Sequence, residues 1–151
     1  MPRTRLELSM SKGFLIDTNV LPELMRDNPA TEVLEWFTGK RAQQLHASVV
    51  TYAEILAGIA LLPGGKRRDA MAMAASQIFE ADFLGRCMDF GAYSVGHYAL
   101  VRAQRQLAVR PIDTADAQIA AIALTFQWTL VTRNTKDFEG IDNLQIINPW
   151  M

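Results

Sequence analysis

The chain predicts one α/β domain with a central, mainly parallel sheet flanked by helices. Short apolar segments alternate with helical patterns along its length. Each of those segments is only a few residues long and reads as a single buried strand, as in parallel sheets flanked by helices. At 151 residues there is enough chain for one full hydrophobic core and too little for two.

The elements follow in order. Gly13–Ile16 reads as a short buried strand, and Asn19 and Pro22 in DTNVLPELMR (17–26) suit a helix entry. Ala30–Phe37 places Val33, Leu34 and Phe37 on one helical face, and Gly39 stops it. Leu45–Val50 reads as a second strand, and Thr51–Leu62 as a helix closed by Pro63-Gly64-Gly65. Met71, Ala75, Ile78, Phe79 and Phe83 predict an amphipathic helix over Arg68–Phe83. After a connection through Phe90, Tyr93–Leu107 predicts a helix with Val95, Tyr98 and Ala99 inward. Asp113–Phe126 is helical and apolar nearly all round, hence central. Trp128–Thr132 and Leu144–Ile147 supply the last strands, joined by a loop.

Composition narrows the function. Half of the residues are hydrophobic and 21% charged, a globular balance. No apolar run approaches the ~20 residues that cross a bilayer, so the reading places the protein off the membrane, in the cytoplasm. The single cysteine, Cys87, excludes an internal disulfide and fits a reducing compartment. Residues 1–12 lack the apolar stretch of an export signal and read as a disordered extension, with Met10 a second possible start; the domain is 13–151. Fifteen Lys and Arg offset 16 Asp and Glu, so nucleic acid would have to meet a local basic patch.

Ligands of such sheets collect beyond the carboxyl ends of the strands, and several acids fall there. Asp17 ends the first strand, and Glu54 lies in the first turn after the second. Asp113 and Asp116 open the apolar helix, while Asn134 and Asp137 follow WTLVT. Taken singly, each has an ordinary explanation. Thr51-x-x-Glu54 fits a capping box, Asp113-x-x-Asp116 a cap with a first-turn acid, Asp17 another cap, and Asp137 a loop residue. Their joint placement is the signal. Gathered carboxylates raise one another's pKa and need a cation; no lysine or histidine has an obvious claim to that place. Hard oxygen donors suit Mg²⁺ or Mn²⁺, which points to phosphodiester hydrolysis.

LIDTNVL (15–21), TYAEILAGI (51–59), DTADAQIAAIAL (113–124), LVTRNTKDF (130–138) and NPW (148–150) together resemble the PIN-domain ribonucleases. Within these, the chain is similar to the VapC/FitB toxin type of bacterial toxin–antitoxin pairs, from about Phe14 to Trp150. The resemblance implies a metal-dependent endoribonuclease held inactive by a cognate antitoxin. Asp17, Glu54 and Asp116 match three of the family's acids, with Asp17 and Asp116 as ligands of Mg²⁺ or Mn²⁺ and Glu54 as general base. Members often have aspartate where this chain has Asn134, so Asp137 is the candidate for the missing charge. Thr18, Asn19 and Asn134 would orient waters and carboxylates. The products implied are a 5′-phosphate and a 3′-hydroxyl.

Arg102 and Arg105, on the helix leading to Asp113, and Arg133 beside Asn134 are the candidate RNA phosphate contacts; the 66–68 basic run reads as a solvated face. His46, His97 and the three tryptophans read as structural. The helices over 51–62 and 68–83 carry more apolar surface than one buried face needs. That predicts a groove for an amphipathic antitoxin helix, together with a homodimer; the resemblance implies contact with DNA only through the antitoxin. Two rivals remain open at this stage. One is a PIN-like module with a weakened site that binds RNA or antitoxin, favoured by Asn134; the other is a phosphohydrolase acting on DNA or another phosphoester.

Overall fold

The computed structural model describes residues 12–151; the extension expected over 1–12 lies outside them, Lys12 aside. Five short strands form one sheet: β1 (Phe14–Ile16), β2 (Leu45–Ser48), β3 (Cys87–Met88), β4 (Thr129–Val131) and β5 (Ile146–Ile147). Their order is β3-β2-β1-β4-β5, and every pairing is parallel. The order reverses direction at β1, so the carboxyl ends of β1 and β4 flank the switch point where such sheets bind ligands.

Alternation along the strands sorts the core into two layers. Leu15 and Leu130 face α5 (Val95–Leu107) and α6 (Thr114–Phe126), packing with Val101, Ile119, Ile122 and Phe138. Ile16, Ala47 and Val131 face α1 (Leu21–Leu24), α3 (Val49–Ala60) and α4 (Lys66–Ser76), packing with Ile55, Ile59, Ala75 and Phe79. The remaining helix, α2, is Thr31–Thr38. Each fully buried Leu, Ile or Phe contributes about 1.5–3 kcal/mol of transfer free energy. Trp128 seals one corner, stacked on His46 at 3.7 Å and on Phe126 at 4.4 Å. Its indole also passes so close to Gly13 that a Cβ there would lie 2.4 Å from the ring.

Three expectations change. β2 ends at Ser48 rather than Val50, because the Ser48 hydroxyl accepts from the Thr51 amide and starts α3 two residues early. The helix foreseen over 68–83 becomes α4 followed by a π-helical segment, Gln77–Asp82, in which the Phe83 amide reaches the Ile78 carbonyl. Phe79 and Phe83, four residues apart, are both buried, as the i, i+4 spacing of one face requires. On α5, Val95 and Ala99 are exposed, and the inward face is Ser94, Tyr98, Val101 and Arg105. A buried arginine interrupts the apolar stripe from which the inward face was read.

Candidate active site

The parallel register pairs Ile16 with Val131, so the next residues, Asp17 and Thr132, emerge side by side. Both are buried. The Thr132 hydroxyl donates to Asp17 Oδ2 at 2.7 Å and accepts from the Asn19 side-chain amide (3.2 Å) and the Asn134 amide (3.1 Å). One donated and two accepted bonds exhaust a hydroxyl. Asn19 also donates to Asp17 Oδ2 (3.3 Å) and accepts from the Arg133 amide (3.0 Å). Oδ2 is thus fixed from two sides. Asp17 Oδ1 has no partner at all, the only buried side-chain nitrogen or oxygen so placed among the described residues.

Glu54 comes from α3. Because Ser48 caps that helix, the capping box anticipated for Thr51 and Glu54 does not form, and Glu54 is released for another role. It accepts from the Thr18 hydroxyl at 2.8 Å. Thr18 also lies 3.1 Å from the Thr51 hydroxyl; with its own hydrogen committed to Glu54, it accepts from Thr51. Asp113 does cap α6, accepting from the Asp116 amide at 3.0 Å. That accounts for Asp113 and leaves the Asp116 carboxylate unused. Asp17 does not cap α1, whose N-cap is Val20. Asn134 and Asp137 lie exposed on the loop after β4, where 135–138 forms a 3₁₀ turn.

The electrostatics show that these acids share one place. Burial pushes the Asp17 carboxyl above its ordinary pKa, against the Thr132 hydrogen bond and the weaker pull of the neighbouring Thr18 amide, which makes no full hydrogen bond, and the charges of Glu54 and Asp137 raise it further. The Asp116 carboxyl is pushed up to about 7, first by burial and then by the like charges of Asp113, Asp17, Asp137 and Glu54. Among the described residues no lysine or arginine pairs with any of them; the ion pairs are Arg26–Glu23 and Arg110–Glu139. Nor do any three His, Cys, Asp or Glu side chains close tightly enough to enclose an ion by themselves. The site is therefore open and anionic. Such a donor set fits Mg²⁺ or Mn²⁺, which bind through one or two carboxylates and keep several waters. The unpartnered Asp17 Oδ1 is the atom of this set that makes no hydrogen bond.

The basic candidates separate. Arg133 is exposed at the mouth, its guanidinium stacked 4.6 Å from the Trp150 ring. Arg102 is exposed beside the start of α6, near the Ile112 carbonyl and the Thr114 hydroxyl at 3.4 Å. Arg105 is a correction. It is 5% exposed and donates to the carbonyls of Arg110 (2.8 Å) and Asp137 (2.6 Å), so it cannot meet a phosphate. His46 bonds the Phe14 carbonyl through Nδ1, and burial lowers its pKa, consistent with a structural role. Burial likewise raises the Cys87 thiol, the reverse of an activated thiolate. Sequence reasoning missed Thr132 and the part played by Thr51. The signal for Thr132 was a hydroxyl ending the strand that had to pair beside Asp17.

An open acidic site at the switch point of a five-stranded parallel sheet suits a nuclease, and comparison with known proteins gives the family. Residues 14–144 match the PIN domain. Plasmid stability protein StbB of Pseudomonas syringae pv. tomato is 40% identical, covering 90% of this chain and 97% of its own. VapC ribonuclease Y4jK of Sinorhizobium fredii is 35% identical, covering 90% and 96%. The solved structure of FitAB bound to an IR36 DNA fragment superposes with a TM-score of 0.83 at 32% identity, covering 91% of this chain and 96% of that one. The chain belongs to the PIN-domain family, in its VapC/FitB toxin group.

Opening from the same site is a groove of about 940 Å³ between α1, α3 and α4. Thr18 and Glu54 stand at one end; Met25, Ile55, Ile59 and Met71 are among its apolar lining, and Arg26 and Arg67 also border it. Among the described residues, no helix is long and apolar enough to cross a membrane.

Proposed function

We propose that this chain is a divalent-metal-dependent endoribonuclease, the toxin half of a toxin–antitoxin pair, acting in the cytoplasm. The observation that carries the reading is Asp17 Oδ1, buried without a partner among carboxylates that no lysine or arginine of the described residues pairs with. Asp17 and Asp116 are the residues to hold Mg²⁺ or Mn²⁺. When bound, that ion offsets the phosphodiester's charge and lowers the pKa of a water. Glu54 takes the proton from the attacking water. Its Oε1 is occupied by Thr18, so Oε2 is the accepting atom. Thr132 and Asn19 fix the Asp17 carboxylate, as a ligand's outer partners do. Asp137 brings the negative charge that Asn134 lacks. Exposed Arg133 and Arg102 lie where backbone phosphates would run, and the cut leaves a 5′-phosphate and a 3′-hydroxyl.

The groove beside Glu54 suits the apolar face of an antitoxin helix, which would cover the site's entrance. DNA contact then belongs to the antitoxin, as a property of the pair. The apolar face of α5, with Leu100 and Leu107 exposed, supports self-association as a homodimer.

The test is incubation of the purified chain with structured RNA and with DNA of the same sequence, in Mn²⁺ or in EDTA. RNA cut in Mn²⁺, spared in EDTA, with DNA intact, is the expected outcome. RNA cut equally in EDTA, or RNA left intact in Mn²⁺, would contradict the reading.

A further inference from the structure

We propose that Arg105 is a positioning residue that holds Asp137, the fourth acid, at the site. The inference rests on the metal-dependent reading above.

Arg105 is buried on the inward face of α5, a costly place for a charge. Among the described residues it pairs with no carboxylate. Its guanidinium is spent on two main-chain oxygens: Nη1 donates to the Asp137 carbonyl at 2.6 Å, and Nε to the Arg110 carbonyl at 2.8 Å. Arg110 in turn donates to the Lys136 carbonyl at 3.1 Å and pairs with Glu139 at 3.6 Å. The stretch 136–139 is thus gripped at consecutive carbonyls from α5 and the turn after it. Phe138, 1% exposed, anchors the same stretch in the core.

This stretch carries Asp137, whose charge acts on both Asp17 and Asp116. A carbonyl accepts equally well whatever its side chain, so the grip itself does not require an acid at 137. What the grip does is fix the backbone that aims that acid, in a chain whose position 134 is an amide. A planar guanidinium serves two carbonyls in different directions; a lysine ammonium is a single point on a flexible stem.

The experiment measures Mn²⁺ affinity of the full chain by calorimetry, and amide hydrogen exchange over 134–138, for wild type, Arg105→Lys, Asp137→Asn and the double variant. Arg105→Lys is expected to speed exchange of the loop and to weaken Mn²⁺ binding about tenfold, the usual scale for a residue behind a ligand. Asp137→Asn is expected to weaken binding similarly, and Arg105→Lys to add nothing on that background. Wild-type affinity in Arg105→Lys, or an equal loss with and without Asp137, would overturn the assignment. If Arg105→Lys fails to fold, Arg110→Met cuts the outer half of the grip at an exposed residue. A loss that vanishes in the Asp137→Asn background then supports the proposal, and unchanged affinity overturns it. A wild-type chain that binds no Mn²⁺ would instead sink the metal reading itself.

Discussion

Asp17→Asn is expected to abolish measurable RNA cleavage while making the metal-free protein more stable. The two effects have one cause. Asp17 is buried, its Oδ2 is held by Thr132 and Asn19, and its Oδ1 has no partner. Without a cation, the fold carries an unpaid desolvation cost there. Asparagine has nearly the same shape and no charge, so it removes the desolvation cost of a buried carboxylate while keeping an oxygen for Thr132 and Asn19. For a domain of this size each kcal/mol raises Tm by about 2–4 °C. Catalysis moves the other way. Losing the charge that holds the ion forfeits several kcal/mol of transition-state stabilisation, a rate loss of about 10³-fold. Cleavage assays and thermal melts in EDTA check both halves. A variant that is inactive but less stable would mean that Asp17 is satisfied in the free protein.

The second large effect is on pH dependence. Asp116 titrates at about 7 in the fold against an ordinary value of 3.8, and Asp17 is shifted in the same direction. Below pH ~4, folded and unfolded chains are both protonated at Asp116, and no penalty arises. Between pH 4 and 7 the unfolded chain ionises while the fold retains its proton, so rising pH destabilises the fold. Above 7 the penalty is constant. Other carboxylates titrate over this range, so the useful quantity is the Tm of Asp116→Asn minus that of wild type, in EDTA. That difference should grow from pH 4 to 7 and then level off. Saturating Mn²⁺ should abolish or reverse it, because the ion binds the ionised carboxylate of the wild type alone. A difference flat with pH would show that neither burial nor the neighbouring acids raise the Asp116 carboxyl.

The sequence made the sheet's order of events legible because its strands are short, apolar and punctuated. It could not reveal the ends of elements decided by tertiary partners. Thr51 was read as the cap, and only the structure's hydrogen bonds show that Ser48 takes that role and that Thr51 turns toward Thr18. The acids at strand ends were readable for the same reason that strand ends are: each is a polar residue closing an apolar run. Thr132 was legible as a strand end but its role was not, because that depends on the β1–β4 register. Arg105 was misread more instructively. A charged residue was taken to face an RNA phosphate, and the inward face of α5 was read without it. The chain instead spends that charge on carbonyls of the active-site loop, which no periodicity encodes.

The most direct measurement is anomalous diffraction from crystals of the full chain grown in Mn²⁺. The account predicts a manganese peak bonded to Asp17 Oδ1, with Asp116 a ligand directly or through water and no basic side chain intervening. An empty site with Asp17 Oδ1 paired to a lysine or arginine would contradict it.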